Sequence, residues 1–370
     1  MEKNCWILEK EELAKGTFRH VCWEDGRLCL EGDKTEGEYQ SPIFRAAPFR
    51  KAVASWNAST PEGSHVEIQL RVWIQNGKKE EKSSHWYSWG IWGAHTDRKS
   101  VSVSEENAPD KGISMDTDTL ILSEGEAVGF QWRALFSRKD DSPSLYLLAV
   151  SVPKREEEGE MASTGPVHWP HHLPLNAKTP VMPCSQLLRD PVFARVICSA
   201  VTIQMLAGRE NDDFLPEEIA WGDYDSAMDG HGNWSFSTAM AGELGYKAWA
   251  AYCSPEELLE ELASGYPVGA SVRYSNEPDH EKLPYLENAP GNTPGHLLVL
   301  YGYERNEKEL WLLAADPYGE KNETVCRRYR WEQFLKAWSG RMTYFVRERK
   351  EGFIQKAIER IPVSFRKMGE

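Results

Sequence analysis

NTPGHLLVLYGY (residues 292–303) and WLLAADPYG (residues 311–319) decide how the second half of this chain folds. Each is an apolar run of strand length, rich in Leu and Val and bounded by Gly, Pro or Asn, and a short polar stretch around Glu304 to Lys308 separates them. They are expected to form consecutive antiparallel strands joined by a hairpin, which sets the start of the first beside the end of the second. His296 opens the first strand and Asp316 closes the next, so their side chains are expected to meet. Gly295 leaves room for a substrate in front of the imidazole, and a sheet edge holds the ring still. A carboxylate that accepts the imidazole N–H fixes the tautomer and stabilises the ring once it is charged. Taken singly, His296 reads better as a structural histidine and Asp316 as a turn-forming Asp-Pro.

Upstream, Cys198 stands at the head of SAVTIQMLAGR (199–209), where Ala200, Val201, Ile203 and Leu206 follow helical spacing and Gly208 marks a stop. A sulfur there lies near the positive end of the helix dipole, which favours thiolate over thiol. An inert buried cysteine is the ordinary alternative. A Cys at a helix start, a strand-borne His and an Asp one strand later are together much harder to explain as accident. Gln186, twelve positions before Cys198, carries an amide donor that would help hold a developing oxyanion together with the Cys198 backbone N–H; a surface glutamine is its alternative. His231, beside Asp229 in DGHGNW, is the competing base, and a Gly-rich loop holds a ring less firmly than a strand does. It is expected to shape the substrate cleft.

Around these residues the punctuation is that of an α+β domain. A helix is expected over SFSTAMAGELG (235–245), and another opens with an N-cap serine, a first-position proline and a capping-box glutamate at Ser254-Pro255-Glu256-Glu257 and stops at Gly265. Strands are expected near 267–273, 297–303, 309–315 and 341–347, so helices precede an antiparallel sheet.

From Thr17 to Val152 the dominant period is two. VEIQLRVWI (66–74), AVGFQWRALF (127–136) and SLYLLAVSV (144–152) read as strands, separated by turns such as Glu24-Asp25-Gly26 and Thr60-Pro61-Glu62-Gly63, which predicts an all-β sandwich. In HWYSWGIWG (85–93), strict alternation puts Trp86 and Trp92 on one face and Tyr87 and Trp89 on the other. That segment is either a two-sided core strand or an exposed aromatic platform for a carbohydrate or peptide. Domain boundaries are expected at 1–152 (β-sandwich), 153–178 (a charged, then Pro-rich linker), 179–350 (catalytic domain) and 351–370 (tail). The linker histidines His168, His171 and His172 read as solvated residues before they read as a metal tract.

A net charge of −14 with no basic stripe argues against nucleic acid, and no apolar run approaches the ~18 to 20 residues of a membrane span. MEKNCWILEKEELAKG lacks the pattern of a secretory signal, so the chain as given reads as cytoplasmic. The seven cysteines are odd in number and scattered, which is not a disulfide framework, and none are paired at the short spacing of a zinc site. No metal or organic cofactor is expected.

PCSQLLRDPVFARVICSAVTIQML, DGHGNWSFSTAMAGELGYKAW, ELASGYPVGASVRY, NTPGHLLVLYGY and AADPYG, in that order, resemble the catalytic domain of cysteine peptidase family thirty-nine, related to bacteriocin-exporter leader peptidases, in its stand-alone bacterial branch. The resemblance covers about 179–348 and implies a papain-like fold and a cysteine peptidase or amidase, with the nucleophile on Cys198, the base on His296, the orienting carboxylate on Asp316 and the preceding Gln on Gln186. SPIFRAAPFRKAVASWNASTPEGSHVEIQLRVW, WYSWGIWG and FQWRALFSR resemble the β-domain that precedes it in the same branch. At the nucleophile the chain reads Ile197, Cys198, Ser199, Ala200, Val201, Thr202 where relatives commonly read Trp-Cys-Ser-Pro-Thr-Ser. A papain-like protein that has lost turnover and only binds peptide or carbohydrate is the alternative reading.

Overall fold

The computed structural model describes residues 3–76, 80–94, 97–154, 172–208, 214–277 and 283–349. His168, His171, most of the expected linker and the expected tail lie outside these residues, while His172 sits 3.7 Å from Glu260.

The N-terminal region is all-β, built from two antiparallel sheets. One runs Ile113–Asp116, Thr119–Leu122, Lys51–Ser59, Ser144–Ser151, Arg27–Leu30, Val21–Glu24, with Cys5–Glu9 also paired to Ser144–Ser151. The other is centred on His65–Asn76 and Glu126–Ser137, flanked by Tyr87–Trp92 and Glu36–Gln40. The alternation of VEIQLRVWI holds: Val66, Ile68, Leu70 and Val72 are buried in a core shared by both sheets, and Glu67, Arg71 and Trp73 face outward.

HWYSWGIWG departs from simple alternation. The pairing of Tyr87–Trp92 with His65–Asn76 slips between Ser88 and Ile91, where Gly90 takes a φ of +103°. A Cβ at Gly90 would strike the Lys99 carbonyl, so only glycine makes this bulge. The extra residue turns Trp92 inward beside Tyr87 and Trp89, and all three are buried. Trp86 alone stays outside, with the Arg71 and Arg133 guanidinium carbons 4.7 and 4.5 Å from its ring centre.

The C-terminal region mixes helices with a third antiparallel sheet, ordered Tyr246–Tyr252, Trp338–Arg349, Val268–Ser275, Asn292–Arg305, Leu310–Ala315, Cys326–Arg330. Asn176–Lys178, the end of the expected linker, adds to Asn292–Arg305. Helix α1 (Cys198–Ala207) is buried on every side from Ser199 to Ala207, which is why its apolar residues show no clean stripe. Helices α2 (Pro216–Asp223) and α3 (Trp234–Glu243) pack beside it, and α4 (Pro255–Ala263) and α5 (Trp331–Ala337) flank the sheet. The capping box expected at Ser254 and Glu257 is present. No helix among the described residues is long and apolar enough to cross a membrane.

The two regions are joined along the edge of the third sheet. Tyr246–Tyr252 lies at the end of the third sheet, so one side of its backbone lacks a strand partner. Side chains of the N-terminal region serve as that partner. Asn57 bonds both the N–H (3.1 Å) and the C=O (2.7 Å) of Ala248, Ser55 accepts from Ala250 (3.2 Å), Ser151 accepts from Tyr252 (3.0 Å), and Asn4 donates to the Tyr252 carbonyl (3.0 Å). Trp56, Trp92 and Phe236 meet edge to face across the same junction. Arg98 has a side chain with 0% exposure; it pairs with Glu243, donates to the Gly222 carbonyl and lies 3.7 Å from the Trp92 ring centre. Arg98→Ala strips one partner from a buried ion pair and is expected to lower stability by about 3–5 kcal/mol, measured as the shift in the urea unfolding midpoint.

Candidate active site

Asn292–Arg305 and Leu310–Ala315 are the adjacent antiparallel strands that the sequence predicts, paired from Val299↔Ala315 to Arg305↔Leu310 with a bulge between Leu300 and Gly302. His296 precedes this paired stretch and Asp316 follows it, so both side chains fall at one end of the sheet. His296 Nε2 lies 2.8 Å from Asp316 Oδ1, with His296 6% exposed and Asp316 fully buried. Nδ1 is then the ring nitrogen left for another partner, and Cys198 is the neighbouring thiol whose charged form the ring favours. Cys198 is the first residue of α1 and keeps partial exposure. At Gly295 the space where a Cβ would stand is open to 4 Å.

Burial works against charge on all three groups, and pairing outweighs it. The Cys198 thiol is held below its usual range, since the imidazole and the Leu297 and Ser199 N–H groups oppose burial. His296 is pushed up to about 10, because Asp316 and the sulfur overcome the burial that would lower it. The Asp316 carboxyl stays below its ordinary value despite burial, held by His296, Tyr329 and the Tyr318 N–H. The shifts of the two partners run in the directions that favour a thiolate–imidazolium pair.

Two contributors are absent from the sequence-based expectations. The Tyr329 hydroxyl donates to Asp316 Oδ2 at 2.6 Å, and the Tyr318 N–H donates to Oδ1 at 2.9 Å while its ring meets His296 edge-on at 6.1 Å. Tyr329 sits in CRRYR, a charged run without the alternation that marks a strand, so its register was invisible. Tyr318 lies in the Asp-Pro-Tyr-Gly turn, and a turn that returns a backbone N–H to its own aspartate is a local signal that was available.

Gln186 is buried in a short turn after Ser185. Its Nε2 donates to the Ala194 carbonyl at 2.9 Å, in the loop leading to Cys198, and its backbone N–H donates to Pro317 at 2.8 Å. Gln186 therefore links the nucleophile loop to the Asp316 turn. His231 does not pair with Asp229, its sequence neighbour. It lies 3.0 Å from Asp223, which also accepts from Ser237; Ser237 in turn bonds Ser199, next to the nucleophile, at 2.8 Å. The loop carrying His231 is tied to the N-terminal region, since Asp225 accepts from the Ser100 N–H and Asp118 from the Trp234 N–H.

Residues 31–152 match the family described as Peptidase C39 N-terminal domain, and residues 178–344 match the Peptidase C39 like family. The chain is a C39-like protein. Its N-terminal region is thus the β-domain that precedes the C39-like domain, in line with the sequence resemblance. No curated protein matches this C39-like protein. Among solved structures, one on the mite allergens Blo t 1 and Der p 1 aligns at 9% identity and a TM-score of 0.33, over 49% of this chain and 73% of that one. A low affinity xylan binding module, CBM86, from Roseburia intestinalis aligns at 14% identity and a TM-score of 0.20, over 40% and 96%. A module solved with beta-1,4-galactotriose aligns at 7% identity and a TM-score of 0.17, over 39% and 86%. Likenesses this low carry no argument here.

Proposed function

We propose that this C39-like protein is a papain-like cysteine hydrolase, a peptidase or amidase, in which Cys198 is the nucleophile, His296 the base, Asp316 the group that orients it and Gln186 an oxyanion donor. The observation that carries this reading is the 2.8 Å hydrogen bond between the buried His296 and Asp316, beside a partly exposed Cys198 whose thiol the imidazole holds low. The thiolate adds to an amide carbonyl carbon, and the oxygen that gains charge is met by the Cys198 N–H and by the Gln186 amide hydrogen not directed at Ala194. The imidazolium gives its proton to the leaving nitrogen, the C–N bond breaks and a thioester remains. Water then attacks the thioester with His296 taking its proton, the C–S bond breaks, and acid is released with the thiolate–imidazolium pair restored.

We read the N-terminal region as a β-sandwich fused to a papain-like domain, with boundaries at 1–152 and 179–350 and a peptide or protein as substrate. Trp86, outward-facing between two guanidinium groups, supports a second role for the sandwich as a contact surface for carbohydrate or peptide. The test is labelling of the full chain with an epoxide or vinyl-sulfone probe, followed by mass mapping. Modification is expected at Cys198 near neutral pH, ahead of the other six thiols. A probe adduct at a different cysteine overturns the site, and uniformly slow labelling leaves a binding protein without turnover.

A further inference from the structure

Cys22 and Cys29 are seven residues apart in sequence, a spacing that hides any relation between them. A hairpin removes that distance. Val21–Glu24 and Arg27–Leu30 pair antiparallel through a two-residue turn, with Asp25 at φ +49° and Gly26 at φ +76°, the left-handed pair that a tight hairpin requires. The register sets Cys22 directly opposite Cys29 and Glu24 opposite Arg27. By period two, Cys22 and Glu24 share one face of their strand, and Cys29 joins them from across the ladder.

The three ligand atoms converge. Cys22 Sγ is 3.4 Å from Cys29 Sγ and 3.6 Å from Glu24 Oε1, and all three atoms lie within 4.8 Å of one another. Around a tetrahedral zinc ion, bonds of ~2.3 Å to sulfur and ~2.0 Å to oxygen give edges of about 3.8 Å between sulfurs and about 3.5 Å between sulfur and oxygen. The observed separations are within a few tenths of an ångström of those edges. A disulfide would need the sulfurs to close to about 2.05 Å, a far larger movement.

We propose that Cys22, Cys29 and Glu24 form a three-ligand site for a soft divalent cation of the zinc type, open to water at its fourth position. Binding displaces the two thiol protons to solvent and leaves two sulfur–metal bonds, so no oxidant or reductant is involved. Cysteine spacing along the chain argues against zinc, and the hairpin supplies the proximity that spacing lacks. The site pins the edge hairpin of the first sheet and stands apart from the Cys198 site.

Reduced, metal-free full-length protein carrying Cys198→Ala, to remove the reactive thiol, is titrated with cadmium while thiolate-to-metal charge-transfer absorption is followed. One equivalent is expected to bind with release of about two protons and to protect Cys22 and Cys29 from alkylation, as mapped by mass. Cys22→Ser or Cys29→Ser is expected to weaken binding at least tenfold and Glu24→Gln by less, with the far-ultraviolet spectrum of each variant unchanged. The protection map on the unsubstituted hairpin decides the matter even where a serine variant fails to fold. Absence of the band, or protection that falls on other cysteines, overturns the site. So does formation of a Cys22–Cys29 disulfide by glutathione disulfide at the same rate with and without cadmium, which would make this a redox pair.

Discussion

Cys198→Ala is expected to lower hydrolysis by at least about 10⁴-fold while the protein stays folded, because no other thiol can form the covalent intermediate. Retention of the fold follows from the position. Cys198 begins α1 and is partly exposed, so alanine removes one sulfur from a site that is not sealed and suits the helix it begins. The measurement is cleavage of a peptide library followed by mass spectrometry, set beside the urea unfolding midpoint of the same variant. A variant that keeps its midpoint and also keeps its cleavage products would remove Cys198 from the chemistry. Cys198→Ser is the harder comparison. It preserves size and a nucleophilic atom, but its hydroxyl cannot sit as an anion beside His296 near neutral pH, so a similar loss is expected.

Asp316 carries the second large effect, and two substitutions divide its role. Asp316→Ala removes both the acceptor that orients His296 and the charge that keeps the ring protonated, and a loss of about 10²–10⁴-fold is expected. Asp316→Asn keeps an acceptor for Nε2 and removes only the charge. The pH dependence follows from the shifts. The ion pair exists above the lowered Cys198 pKa and disappears as pH rises through the value of about 10 at His296. Without the carboxylate charge, His296 falls toward its ordinary ~6.5 and Cys198 rises, so the window narrows from both sides. The rate of Cys198 alkylation against pH is therefore expected to lose its acid-shifted limb in both variants, while only alanine also loses rate at the new optimum. Equal profiles for the parent and Asp316→Asn would show that the carboxylate charge plays no part in forming the pair. Tyr329→Phe, which removes the 2.6 Å hydrogen bond to Oδ2, acts in the same direction with smaller size.

How much of this was legible depended on how local the signal was. The His296–Asp316 pairing could be read because both residues sit at the ends of apolar runs joined by a short hairpin, and hairpin register follows from loop length. Cys198 could be read because Gly208 and the preceding loop mark the ends of its helix. Tyr246–Tyr252 was not predicted, since its sequence, YKAWAAY, is alanine-rich and lacks the branched residues of a strand. It is a strand because Trp338–Arg349 pairs with one side and Asn57, Ser55, Ser151 and Asn4 saturate the other. Trp92 was assigned to the wrong face because alternation counts residues and does not foresee a bulge at Gly90.

The sequence by itself determined the two-part organisation and the all-β character of the first part, and it singled out Cys198, His296 and Asp316 as the proposed set, because each rests on short-range periodicity and punctuation. Only the tertiary structure decided which groups support that set and how the parts are joined. Tyr329 reaches Asp316 from another strand, Asp223 takes His231 away from Asp229, and polar side chains of the first part satisfy the open edge of the second. The physical reason is the same in each case. A buried polar group must find a partner somewhere, and the chain separation at which it finds one is set by packing.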